Sequence, residues 1–131
     1  IRAFFPPGTQ APMHASGIGK ALLSTFPDGR LHRFLQKCPF ERFTPQTIVT
    51  HEGLLAEMQR IRASGFAFDN EEKSLGMRCI AAPVVNFQGQ AVAGISISGP
   101  SHRVTPDKVA RIGALVKAAG DAISRSLGAG L

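Results

Sequence analysis

The sequence contains no tryptophan and no tyrosine. Binders of single-stranded nucleic acid stack bases on aromatic faces, and two of the three residue types that supply such faces are missing. Its two cysteines, Cys38 and Cys79, stand far apart and form no CxxC pair. They do not make a disulfide framework, and a reducing, cytoplasmic setting is the expectation. No apolar run approaches the roughly 18 residues of a membrane-spanning helix, so no membrane partner is expected. The start, Ile1-Arg2-Ala3-Phe4-Phe5-Pro6, lacks the basic-then-apolar layout of a signal peptide. The absent initiating Met points to a start inside a longer parent. There is no P-loop, no dinucleotide-binding glycine pattern and no metal-ligand spacing. His14, His32, His51 and His102 are too dispersed to suggest zinc. Neither a cofactor nor a metal is expected. Acidic residues are fewer than basic ones, 9 against 15, giving a net charge of +6. The basic residues are scattered from Arg2 to Arg125 without a block of about five, so the charge reads as a solvated surface with a minor role in DNA approach by the parent.

What is present is one domain of ordinary length. A chain of 131 residues can bury a hydrophobic core without staples, and 44% hydrophobic with 18% charged residues is a globular balance. Residues 1–5 read as the end of a strand, stopped by Pro6-Pro7-Gly8. Ser16 is a good N-cap, and residues 17–24 read as a short helix. Gly17 and Gly19 are poor helix formers and need another reason to be there. Pro27-Asp28 opens a second short helix, with Leu31, Phe34 and Leu35 at helical spacing. Thr44-Pro45-Gln46-Thr47 restarts the chain into a long helix running to about Ser64. That helix carries Leu54, Leu55, Met58 and Ile61 on one face and ends at Gly65. Alternation predicts a strand over residues 66–69, a central strand over 78–85, a hairpin turn over 86–90 and a return strand over 91–98. On the return strand Val92, Gly94, Ser96 and Ser98 share one face; Ala93, Ile95 and Ile97 share the other. Thr105-Pro106 starts a final helix whose stripe is Val109, Ile112, Val116, Ala119, Ile123 and Leu127, closed by Gly128. This order predicts an α+β fold, with helices packed on an antiparallel sheet of three or four strands.

Read by themselves, the polar candidates favour plain roles. Ser16-Gly17-Ile18-Gly19 offers free N–H groups and partial positive charge at a helix start, yet N-caps of this kind are ubiquitous. Asp69 reads as an exposed turn residue. Cys79 reads as a small buried hydrophobe, since no feature places a base beside it. Ser96 and Ser98 face the same way, and on pattern alone that way is solvent. Glu71 and Glu72 are adjacent in an extended segment, so they point apart and cannot share a reacting atom; both read as surface.

The ordered set of motifs changes that balance. Pro12-Met13-His14-Ala15-Ser16-Gly17-Ile18-Gly19-Lys20-Ala21-Leu22-Leu23 is followed by Arg42-Phe43-Thr44-Pro45-Gln46-Thr47-Ile48. Then come Leu55 to Arg62 ahead of Gly65-Phe66-Ala67, Asp69-Asn70-Glu71-Glu72, Gly76-Met77-Arg78-Cys79-Ile80-Ala81-Ala82-Pro83 and Ile95-Ser96-Ile97-Ser98-Gly99-Pro100. Together they resemble the effector-binding domain of IclR-type bacterial transcription regulators, close to the members that respond to glyoxylate and pyruvate. The resemblance implies a GAF-like (profilin-like) fold, with residues 1–131 forming the C-terminal part of the effector domain. It implies a parent whose N-terminal winged helix-turn-helix, absent here, binds operator DNA as a homodimer or homotetramer. It implies a sensor and no catalytic residue. By the same resemblance, Gly17 and Ile18 give backbone N–H groups to a small organic acid, and Asp69, Cys79, Ser96 and Ser98 line its pocket. Ile18 is bulkier than the alanine of close relatives, which implies a narrower pocket or a shifted preference. Asp69 beside a bound carboxylate must be protonated or accept a ligand hydroxyl, such as that of a hydrated aldehyde. The rival readings are an oligomerisation module built on the long final helix and, behind it, a cysteine-dependent enzyme.

Overall fold

The computed structural model describes residues 7–131; the strand expected at residues 1–5 lies outside the described residues. Helix α1, Gly17–Leu23, starts where Ser16 Oγ accepts the Gly19 N–H. Helix α2, Asp28–Lys37, follows Pro27 and buries Leu31 and Leu35. Helix α3, His51–Ser64, ends at Gly65, whose φ of 84° is the left-handed conformation that glycine adopts without penalty. Strands β1, Ala67–Asn70, β2, Met77–Val85, and β3, Ala91–Pro100, form an antiparallel meander in the order β1-β2-β3. A 3₁₀ turn, Pro106–Lys108, leads into α4, Val109–Ser126. The α+β expectation holds.

The sheet is covered on both faces. Successive residues of a strand point to opposite sides, so Ala81 of β2 joins Ala67, Ala21, Leu23, Leu54, Met58 and Ile61 in the core under α1–α3. Ile80 and Ala82 point the other way and pack with Val116, Val104, Phe66, Phe68 and Ile95 under α4.

Three local expectations change. The third helix begins at His51, with Thr50 Oγ1 accepting the Gly53 N–H, not at Thr47. Residues 44–47 form a turn instead, because both threonine hydroxyls are used elsewhere. Thr47 Oγ1 accepts the Phe43 and Thr44 N–H groups and donates to Glu72 O; Thr44 Oγ1 donates to Glu71 O. Such side-chain bonds compete with helix formation and here tie the turn to the segment after β1. Leu55 is exposed, and the buried line of α3 runs through Leu54, Glu57, Met58 and Ile61. On α4, the buried residues are Gly113, Val116, Gly120 and Ser124, while Ile123 and Leu127 are exposed.

Close backbone approach explains the α4 pattern. A Cβ on Gly120 would lie 3.1 Å from Pro83 O, and one on Gly113 would lie 2.4 Å from the Phe66 ring. Small residues therefore occupy the contact line and larger ones flank it. Ser124 serves the same contact with its hydroxyl: Oγ donates to Gly120 O and accepts the Val85 N–H at 2.9 Å, where the β2–β3 register shifts between Val84 and Val85. Gly120→Val is expected to destabilise the fold by about 1–3 kcal/mol through overpacking, read by denaturant unfolding. Leu115→Ala, at a site 63% exposed on the same helix, serves as the control and stays within about 0.5 kcal/mol of wild type.

Candidate functional site

Strand register assembles the predicted residues. Asp69 of β1 stands opposite Cys79 of β2, and Cys79 stands opposite Ser98 of β3. The adjacent row on that face is Ala67, Ala81 and Ser96. Directly opposed residues project to the same face, so Asp69, Cys79, Ser96 and Ser98 all lie on the side covered by α1. The first turn of α1 rests on this row: a Cβ on Gly17 would lie 2.8 Å from Cys79 Sγ and 3.4 Å from Ala81 Cβ. Gly17 is thus the residue that lets the helix start reach the sheet. A Cβ on Gly19 would lie 2.5 Å from Met13 O and from Ser16 Oγ, so the incoming loop folds back against it. Ile18 leans over β3, where its Cγ2 would be 2.8 Å from a Cβ on Gly94. Its bulk fills the space that Gly94 leaves.

The helix start also leaves donors unused. Ser16 Oγ takes the Gly19 N–H and Ser16 O takes the Lys20 N–H. Among the described residues, no protein acceptor is bonded to the Gly17 or Ile18 N–H, as is usual for the first positions of a helix. All six predicted residues therefore meet at one face.

Burial raises the Cys79 thiol pKa; hydrogen bonds with Ser98 and Ser96 pull it back, and the Asp69 charge pushes it up again. The thiol stays protonated at neutral pH and is a weak polar contact, not a nucleophile. His14, the buried histidine, is committed to Glu41 O at 2.8 Å between Phe40 and Phe43. Asp69 is 8% exposed, which overturns the plain reading of an exposed turn residue. Its carboxyl is raised to about 6, first by burial and further by the charge of Glu72; the Glu72 N–H and Lys20 oppose the rise. The Asp69 Oδ1 accepts that N–H at 2.9 Å.

A buried charge cluster beside the row was not anticipated. Lys20 is 0% exposed, and its Nζ bonds Glu57 of α3, Glu72 of the segment after β1 and Phe68 O of β1. Glu72, read as surface from the sequence, is buried, and its Oε2 also accepts the Asn70 N–H. The two adjacent glutamates do point apart. Glu71, with φ +56°, turns to the Gly76 N–H and lies 3.5 Å from Arg78. Burial pushes the Glu57 carboxyl up, but Lys20 and Arg60 outweigh it and hold it below the usual carboxylate range. The signal was available: Lys20 falls on the helical face of Leu23, and Glu57 falls one turn from Leu54 and Ile61.

Two cavities lie elsewhere. About 570 Å³ opens between α3 and β1, lined by residues including Arg60, Ile61, Ser64, Phe66 and Phe68. A second, of about 240 Å³, lies between the segment before α1 and the end of α2, beside His14 and Cys38. None of the six residues lines either one. The first is mostly apolar and the second holds no polar row, whereas the α1–sheet face gathers a buried Asp69, half-buried Cys79 and Ser96 and an exposed Ser98. Chemistry therefore favours that face, with volume against it.

The Asp69 shift has a consequence for stability. Its native pKa exceeds the ordinary value of 3.8, so between about pH 4 and about pH 6 the native state binds the proton that the unfolded state has released. The carboxyl thus costs stability progressively as pH rises through that window, and the full cost stands above it. Asp69→Asn is expected to be more stable than wild type at neutral pH, by on the order of 2 kcal/mol, with the gain vanishing near pH 4 in urea unfolding. A gain independent of pH would contradict the assignment.

Residues 1–125 match the family model described as the C-terminal domain of the bacterial transcriptional regulator IclR. The HTH-type transcriptional regulator BhcR of Paracoccus denitrificans is 48% identical over 120 residues, which cover 91% of this chain and 43% of BhcR. The repressor BlcR of Agobacterium tumefaciens superposes with a TM-score of 0.88 at 30% identity, over 95% of this chain and 51% of BlcR. A double mutant of the PobR inducer-binding domain from Acinetobacter, solved with 3-hydroxybenzoic acid, superposes with a TM-score of 0.80 at 29% identity, over 89% of this chain and 67% of PobR. The chain spans about half the length of the regulators BhcR and BlcR. These relatives are transcription regulators, not enzymes, and no described helix is long and apolar enough to cross a membrane. The polar row under a glycine-started helix belongs to a known domain: the chain is a member of the IclR C-terminal family of bacterial transcriptional regulators.

Proposed function

We propose that residues 1–131 are the C-terminal part of the effector-sensing domain of a cytoplasmic, DNA-binding transcription regulator. In this reading Gly17, Ile18, Asp69, Cys79, Ser96 and Ser98 hold a small organic acid, a short 2-oxo acid such as glyoxylate or pyruvate. The observation that carries the reading is the convergence of four polar side chains and two unused N–H groups on one face of an otherwise apolar layer. Ser96 is half-buried and Ser98 exposed, and both hydroxyls bond the Cys79 thiol; a carboxylate accepts from the two serines and from helix-start N–H groups together. The PobR inducer-binding domain, solved with an aromatic hydroxy acid, supports the same class of ligand.

Binding acts on the parent by favouring one of two arrangements, which requires unequal affinity for them. Operator DNA is contacted by an N-terminal winged helix-turn-helix outside this sequence. The apolar residues that α4 leaves exposed one turn apart at its end, Ile123 and Leu127, suit a contact with a second copy of the chain and so a homodimer or homotetramer. That same stripe is what an oligomerisation module without a ligand would use.

Calorimetry with glyoxylate, pyruvate and their hydroxy analogues separates the readings. Heat of binding is expected, and Ser98→Ala is expected to weaken affinity by about 10-fold to 100-fold through loss of a hydrogen bond to a charged group, at nearly unchanged melting temperature. Absence of heat with every acid favours the oligomerisation module.

A further inference from the structure

We infer that Asp69 makes this site select acids carrying a hydroxyl on carbon 2, so that a 2-oxo acid is taken as its hydrate and not as the free ketone. The inference rests on the acid-binding reading above and specifies the form of the ligand. It starts from position. Asp69 and Ser98 flank Cys79 in one register row, roughly 10 Å apart between Cα atoms by strand spacing. The hydroxyl donors and the free N–H groups lie toward β3 and the α1 start, and they take the ligand carboxylate. Carbon 2 is then left facing the β1 end of the row, where Asp69 stands.

The chemistry at that end is one-sided. An ionised carboxylate only accepts hydrogen bonds. Asp69 is held in place through Oδ1 by the Glu72 N–H, and it is buried. A ketone oxygen opposite it is a second acceptor, so the two repel and neither is satisfied. A hydroxyl opposite it donates to Asp69, and it also separates the two negative groups. Glyoxylate in water is predominantly the gem-diol, with two hydroxyls on carbon 2; pyruvate is predominantly the ketone. Among oxo acids the site therefore favours the one that hydrates readily.

The surroundings of Asp69 keep this preference tied to its protonation. Lys20 faces it from α1, Glu72 from the segment after β1 and the Cys79 thiol from β2; β3 presents only Ser96 and Ser98, and Glu57 of α3 is reached through Lys20. Helix α4 lies on the other face of the sheet. The Asp69 carboxyl titrates at about 6, so it accepts at neutral pH and donates once protonated. A protonated Asp69 bonds a ketone as well as a hydroxyl, which weakens the discrimination in acid.

Calorimetry with matched acids tests this: L-lactate against pyruvate, which differ in hydroxyl against ketone, and glycolate beside glyoxylate. At about pH 7.5, above the Asp69 titration, lactate is expected to bind at least about tenfold tighter than pyruvate, and glyoxylate is expected to group with glycolate. In Asp69→Asn, whose amide both donates and accepts, the lactate-to-pyruvate ratio is expected to fall to within about threefold. Lowering the pH of wild type to about 5 is expected to narrow the ratio in the same direction. Pyruvate binding as tightly as lactate at the higher pH, or an unchanged ratio in Asp69→Asn, overturns the inference while leaving the acid site standing. Binding of none of the four acids overturns the acid-binding reading itself, and this inference with it.

Discussion

Burying the ammonium of Lys20 constrains the whole α1 side of the molecule. A charge removed from water needs close partners on several sides, and here they come from separate elements: Glu57 from α3, Glu72 from the segment after β1, Phe68 O from β1. Meeting that requirement fixes where α1 lies on the sheet and where the chain turns after β1. The same glutamate then donates its own N–H to Asp69. The orientation of the Asp69 carboxylate is therefore set by a charge cluster a few residues away, and not by the strand pairing alone. Thr44 and Thr47 hold the same segment from the opposite side through Glu71 O and Glu72 O.

Glycine sets the spacing on both faces of the sheet. Gly17 brings the start of α1 onto Cys79 and Ala81, and Gly120 brings α4 onto Ala82 and Pro83 O. Neither position uses the conformational freedom of glycine; each uses the missing Cβ. On the α4 side the result is a packed core. On the α1 side the helix start, with its unused N–H groups, is delivered to a row of polar side chains. The two faces thus follow one packing rule and differ in what the strands present.

Much of this was legible in the sequence because it depends on local patterns. The Ser16 cap, the Gly65 stop, the hairpin at residues 86–90 and the shared face of Ser96 and Ser98 follow from capping, turn and period-two rules. That both faces of β3 are covered did not follow: Ile95 packs under α4 while Gly94, on the serine face, meets Ile18 of α1, and Ile97 and Ser98 stay exposed toward the strand end. Strand register, which sets Asp69 beside Cys79 and Ser98, is a tertiary fact with no local signature. The burial of Glu72 was hidden because its partner, Lys20, lies 52 residues away. The α4 stripe misled for a related reason: hydrophobic size predicts the buried line only where the helix is held off the sheet by its side chains.

The central claim is that the first turn of α1 and the Asp69–Cys79–Ser98 row form a single seat for a small acid, although a cavity of about 570 Å³ opens between α3 and β1. Amide NMR during titration with glyoxylate tests it most directly. The Gly17 and Ile18 N–H resonances are expected to move with the same saturation curve as those of Asp69, Cys79, Ser96 and Ser98, while the residues lining the α3–β1 cavity stay still. Shifts centred on Arg60, Ser64, Phe66 and Phe68, with Gly17 and Ile18 unmoved, would contradict it.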